Sequence, residues 1–153
     1  MDKSLLIFKR FGYQIHLMLQ KEAKRCGIEF MGGPQGQVLQ FLDRREHNQE
    51  LTLIKDIEQE LNITKSVASN LVKRMVQNGL VELETSPSDK RAKFVHLTEK
   101  SRSQINQIKS FFDRIDRSLL EGISEENLAI FEEVLDKLQA NVEKIGGNDE
   151  KTR

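Results

Sequence analysis

The chain has 153 residues, with 24 lysines and arginines balanced by 24 aspartates and glutamates, a hydrophobic content of 37% and no tryptophan. That length suits one domain that buries a core without disulfides or metal, and a single cysteine excludes an intramolecular disulfide and any multi-cysteine metal site. The longest apolar run, Leu5–Phe8, falls far short of the ~20 residues of a membrane-spanning helix and of a signal peptide's apolar stretch, so a cytoplasmic protein with no membrane partner is expected.

Residues 4–26 place Leu5, Phe8, Phe11, Ile15 and Met18 on one helical face. Gly32-Gly33-Pro34 breaks the chain, and Pro34 suits the first turn of a second helix striped by Val38, Leu39 and Leu42. A third helix, 53–61, turns Ile54, Ile57 and Leu61 inward, and Leu51-Thr52-Leu53 ahead of it offers a short strand. Thr64 is set to cap a fourth helix that buries Val67, Leu71, Val72 and Met75. That helix stops at Asn78-Gly79, where a left-handed glycine folds Leu80 back onto Met75. The period then switches to two: Val81, Leu83 and Thr85, then Lys93, Val95 and Leu97, read as a β-hairpin around a Pro/Ser/Asp turn. Thr98 caps a fifth helix carrying Ile105, Ile108, Phe112, Ile115 and Leu119, and Gly122 ends it. Ser124 caps a sixth, with Leu128, Phe131, Leu135, Leu138, Val142 and Ile145 at alternating steps.

The resulting fold class is mainly α with a small β-hairpin wing, a winged helix-turn-helix flanked by N- and C-terminal helices. Residues 1–33 and 98–145 are expected to form a helical dimerisation region, 34–97 a compact lobe, and 146–153 a frayed polar tail. Amphipathic helices at both ends of a small domain are hard to bury in a monomer. Phe8, Phe11, Leu128, Phe131, Leu135, Leu138 and Val142 are therefore the expected homodimer seam.

Zero net charge argues at first sight against nucleic acid, but the charge is segmented. Residues 1–33 and 63–97 each carry +3, and residues 34–62 and 98–153 each carry −3. The second basic block holds a helix, 64–78, with no acidic residue, whereas the helix before it has Asp56, Glu58 and Glu60. Its outward residues, Thr64, Lys65, Ser66, Ser69, Asn70, Lys73, Arg74 and Gln77, match the donors and acceptors of a major groove and its phosphates. Ser66, Asn70 and Lys73 lie along one line of that helix. The hairpin tip, 86–93, brings Asp89, Lys90, Arg91 and Lys93. Arg91 suits a narrow minor groove, and Asp89 is explained as an orienter that pairs with it across the turn.

Residues 81–100, VELETSPSDKRAKFVHLTEK, resemble the wing and following helix start of the MarR family (multiple antibiotic resistance regulators). The resemblance rests on Asp89-x-Arg91, Val95, Leu97, Thr98 and Glu99, extends upstream through Thr64-x-Ser66, the Leu71–Met75 run and Gly79-Leu80-Val81, and agrees with the element order throughout. Ser101 stands where the family usually has glycine, and Gly33-Pro34 replaces a common threonine. The resemblance implies an obligate dimer, a double-stranded, pseudo-palindromic DNA operator, and a ligand or oxidant that changes lobe spacing, which is the behaviour of a ligand-responsive repressor. A small aromatic or amphipathic effector is the family's usual one. Phe8, Phe11, Ile15, Phe41 and Phe111 are candidates for its cleft but read more readily as core.

Cys26 lies near the end of the first helix, unlike the cysteine of peroxide-sensing relatives, and reads as a small buried hydrophobe rather than a sensor. His16, His47 and His96 have no ligand spacing, and the fifth-helix histidines of zinc-sensing relatives are missing, so no metal or other cofactor is expected. No phosphate loop, nucleophile elbow or Cys–His pair points to an enzyme. A winged-helix protein–protein module without DNA binding is the alternative.

Overall fold

The structure is a computed structural model that describes residues 3–147. Its elements run α1 (Ser4–Cys26), α2 (Gly33–His47), α3 (Ile54–Leu61), α4 (Lys65–Gln77), β1 (Val81–Thr85), β2 (Lys93–Leu97), α5 (Glu99–Leu119) and α6 (Glu125–Gly147). The chain divides into two compact units between Phe112 and Asp113, a boundary that falls inside α5.

In the first unit one apolar cluster joins Val38, Leu39, Phe41 and Leu42 of α2, Ile57 of α3, Leu71, Val72 and Met75 of α4, Leu80, and Val81, Val95 and Leu97 of the hairpin. Burial of such side chains is the main stabilising term of the lobe. α2 begins with Pro34 in its first turn, where the missing N–H is not needed. Gly36 lies against the chain before α2, and a β-carbon there would overlap the Met31 carbonyl.

The end of α4 shows how local chemistry aims an element. Gly79 takes φ +70°. Its N–H bonds to the Val76 carbonyl (3.0 Å), and the Leu80 N–H reaches the Met75 carbonyl (2.9 Å). This paired closure satisfies the last carbonyls and turns Leu80 onto Met75, both buried, as the sequence led one to expect. β1 and β2 then pair antiparallel with Val81 opposite Leu97, Leu83 opposite Val95 and Thr85 opposite Lys93.

Thr98 links the hairpin to α5. Its hydroxyl donates to the Gly79 carbonyl (2.7 Å) and accepts from the Ser101 N–H (3.2 Å), capping the helix. Ser101 is fully buried, and its hydroxyl donates to the Leu80 carbonyl (2.6 Å). The departure from the family's usual glycine thus supplies a donor to a buried carbonyl.

Several expectations need correction. Val67 is not in the core: it is 49% exposed, and Ala68 fills the inward position, because the helical stripe of Leu71, Val72 and Met75 continues backwards to residue 68. Leu53 precedes α3 as its cap residue, where its N–H bonds to the Asp56 carboxylate (2.8 Å). Leu51-Thr52-Leu53 forms no full strand, only a single bridge from Leu53 to Phe94 with the Val95 N–H on the Thr52 carbonyl (2.8 Å). Leu83 is exposed, since of β1 only Val81 is buried, while Val95 opposite Leu83 stays in the core. On α5 it is Phe111 that is buried, with Phe112 exposed beside Phe30 at 5.6 Å between ring centroids. Cys26 is exposed at the last residue of α1, one turn beyond the buried Ala23.

In the second unit Ser124 caps α6 by accepting the Asn127 N–H (3.2 Å). α6 buries none of its residues. It continues through Gly146 and Gly147 rather than stopping at Ile145, because Glu143 and Lys144 keep favourable helix formers up to the glycines. Of the tail expected at 146–153, residues 148–153 lie outside the described residues. No helix among the described residues is long and apolar enough to cross a membrane.

Candidate nucleic-acid interface

α3, the short Asn62–Thr64 turn and α4 form a helix-turn-helix. Asn62 adopts φ 51°, which asparagine tolerates, and reverses the chain after α3. Thr64 then accepts the Val67 N–H on its hydroxyl (3.3 Å) and starts α4. With Ala68, Leu71, Val72 and Met75 inward, helical geometry turns Lys65, Ser66, Ser69, Asn70, Lys73, Arg74 and Gln77 to solvent, and Thr64 is exposed at the cap.

The wing grows from the same core. Ser86 is buried at its base, bonding through its N–H to the Ala92 carbonyl (2.9 Å) and through its hydroxyl to that of Ser88 (3.1 Å). Asp89, Lys90 and Arg91 are exposed at the tip, and Lys93 is exposed at the start of β2. The expected pairing of the Asp89 and Arg91 side chains is corrected. The Asp89 carboxylate accepts the Arg91 backbone N–H (2.9 Å), a turn in which the short side chain mimics a backbone acceptor, and it makes no ion pair with the guanidinium. Asp89 therefore shapes the tip and leaves the Arg91 head uncommitted.

Several basic side chains of α2 and α5 are neutralised by carboxylates: Arg44 on Glu60 (2.8 Å), Arg45 on Glu50 and Lys109 on Asp43 (2.7 Å). Arg102 binds Glu46 with Nε at 3.1 Å, and hydrogen bonding to Glu46 holds its guanidinium above the ordinary arginine range. Glu46 also accepts the Leu97 N–H (3.1 Å), so this ion pair ties α2, the end of β2 and α5 together. Among the described residues, the side chains of Lys65, Lys73, Arg74, Lys90, Arg91 and Lys93 make no ion pair or hydrogen bond. The positive charge of α4 and the wing is thus left for an external anion, whereas Arg44 and Arg45 of α2 and Arg102 and Lys109 of α5 are spent internally.

The residues expected at a homodimer seam are exposed in the single chain. Phe8 and Phe11 stand on α1 in the first unit. In the second, Phe131, Leu135 and Val142 are exposed on α6, and Leu128 and Leu138 are partly so. Sequence reasoning missed Ile130 and Val134, also exposed and one helical turn apart on α6. Their signal was an apolar spacing of four outside the alternating stripe. Of the suggested cleft residues, Phe41 and Phe111 are core, while Phe8 and Phe11 are half-exposed.

A sequence model of the MarR family matches residues 30–92, from the approach to α2 to the wing tip. The chain is 25% identical over 134 residues to the uncharacterized HTH-type transcriptional regulator YdgJ of Bacillus subtilis, covering 86% of this chain and 81% of that one. Its structure resembles the heme sensor protein PefR of Streptococcus agalactiae, solved with heme, at 34% identity and a TM-score of 0.63, over 92% of this chain and 95% of PefR. It also shares the fold of S. aureus MepR bound to ethidium bromide, with a TM-score of 0.74 at 22% identity over 92% of this chain and 97% of MepR. The helix-turn-helix, the wing and a 34%-identical relative matched along nearly its whole length place the chain in the MarR family of winged helix-turn-helix transcriptional regulators.

Proposed function

We propose that the protein is a sequence-specific, dimeric DNA-binding regulator that acts as a ligand-responsive repressor in the cytoplasm, by binding rather than catalysis. Residues 64–78 enter the major groove, where Ser66, Ser69 and Asn70 face base edges and Thr64, Lys65, Lys73 and Arg74 face bases or phosphates. Lys90, Arg91 and Lys93 meet the backbone and the minor groove, with Asp89 shaping the tip. The single observation carrying this reading is the group of six unpaired basic side chains on α4 and the wing, beside supporting helices in which Arg44, Arg45 and Arg102 are neutralised.

Residues 1–33 and 98–145 act as the dimerisation region and 34–97 as the reading lobe. The exposed apolar residues of α1 and α6 support this, since single chains rarely leave so many large apolar side chains in water. Two lobes related by a two-fold axis read a pseudo-palindrome with half-sites ~10–10.5 bp apart, or multiples of that. The effector is a small aromatic or amphipathic molecule. A cavity of about 250 Å³ between α2 and α5, lined by Met31, Leu39, Ile105 and Ile108, supports it. The buried Gln104 carbonyl oxygen at this cavity has no hydrogen-bond partner. PefR and MepR, solved with heme and ethidium, favour the same class of ligand.

The test is a gel shift against a pool of genomic fragments with a salt titration. Retention of a few fragments, weakening steeply with salt, supports the reading. Equal retention of all fragments rejects sequence-specific reading, and retention of none rejects DNA binding in favour of a protein–protein module.

A further inference from the structure

We infer that Val67 reads the C5-methyl group of a thymine, which makes it a specificity-determining residue of the interface; this rests on the regulator reading above. The core has no need of Val67. Ala68, Leu71, Val72 and Met75 supply the inward stripe of α4, and Val67 stays 49% exposed. A β-branched side chain on an exposed helical surface lowers helix stability relative to alanine or lysine, because its χ1 freedom is restricted. The core cluster does not include Val67.

A lone exposed apolar side chain is ordinary on a protein surface. The neighbourhood makes this one informative. Val67 is the third residue of α4, in the part of a reading helix that approaches base edges most closely. Asn70 and Arg74, three and seven residues on, continue its line along the helix, and both are exposed with uncommitted side chains. A phosphate or a base donor gains nothing from an isopropyl group. Among the four bases, the thymine methyl is the one apolar group on the major-groove edge. An asparagine amide on the same line suits the N6 and N7 of adenine. Val67 and Asn70 together therefore favour a step that contains both bases.

The experiment selects duplexes from a random-sequence pool with the full chain. Each thymine of the selected duplex is then replaced in turn by uracil, which removes only the methyl group, and affinity is measured at fixed salt. One thymine in each half-site is expected to lose about fourfold in affinity as uracil, the worth of one buried methyl group. Val67→Ala should bind the thymine duplex about fourfold more weakly and no longer distinguish the two bases there, with an unchanged circular dichroism spectrum. Val67→Ile should restore the discrimination. A Val67→Ala protein that keeps the thymine preference, or a parent chain indifferent to uracil at every position, overturns the assignment. A chain that selects no sequence overturns the regulator reading, and this assignment with it.

Discussion

Asp89 carries a negative charge at the tip of a segment proposed to lie against phosphate, and its geometry explains why it is there. Its carboxylate holds the Arg91 N–H at 2.9 Å and so fixes the turn that presents the arginine. Asp89→Asn keeps that acceptor and should leave operator affinity within about twofold, whereas Asp89→Ala opens the turn and should weaken binding despite removing a repulsive charge. Tighter binding by Asp89→Ala in a fluorescence-anisotropy titration would assign Asp89 to electrostatics alone. Arg91→Ala should weaken binding by about 1–3 kcal/mol and lower the slope of log affinity against log salt by about one unit. An unaltered slope would remove Arg91 from the phosphate-facing group.

Elements in this lobe are set by small features at their ends. α2 approaches the Met31 carbonyl only because residue 36 has no β-carbon. Gly36→Ala should therefore lower the unfolding free energy by about 1–3 kcal/mol, the usual range for overpacking, read as a reduced denaturant midpoint with an unchanged m-value. A midpoint equal to that of the parent would show that the loop before α2 yields freely. The order of the helices and the hairpin were legible because their signals are local: Thr64 and Thr98 as caps, Gly79 as a left-handed stop, and a period of two from Val81 and again to Leu97. What misled was hydrophobicity weighed without phase. Valine is more apolar than alanine, yet Ala68 and not Val67 lies on the buried stripe, and of the adjacent phenylalanines the stripe pointed to Phe112 although Phe111, equally well spaced from Ile108 and Ile115, is the one buried. The tip contact of Asp89 was hidden for another reason, since one carboxylate competes for a side chain and a backbone donor in the same turn. The division of the basic residues into paired and unpaired groups was invisible because their carboxylate partners are remote in sequence, Glu46 lying 56 residues from Arg102.

For the whole molecule, zero net charge and a DNA-binding surface are compatible because acid and base are sorted by element rather than mixed. Such a protein should bind strongly only through one face and show less indiscriminate DNA affinity than a uniformly basic chain. Its assembly is proposed to rest on the apolar residues of the terminal helices, among them Leu135 and Leu138 of α6. Leu135→Asp or Leu138→Asp puts an unpaired carboxylate in that seam and should yield monomers in sedimentation velocity, with operator binding lost for want of the second lobe. A variant that sediments as a dimer would move the seam elsewhere. Thr98 and Ser101 add a mechanical consequence. Their hydroxyls grip the carbonyls of Gly79 and Leu80 at 2.7 and 2.6 Å, so the first turn of α5 and the exit of the reading helix are fastened across two short links, the second of them buried. The root of α5 and the exit of α4 therefore share one joint, and a shift of the first turn of α5 is expected to be felt at the end of the reading helix.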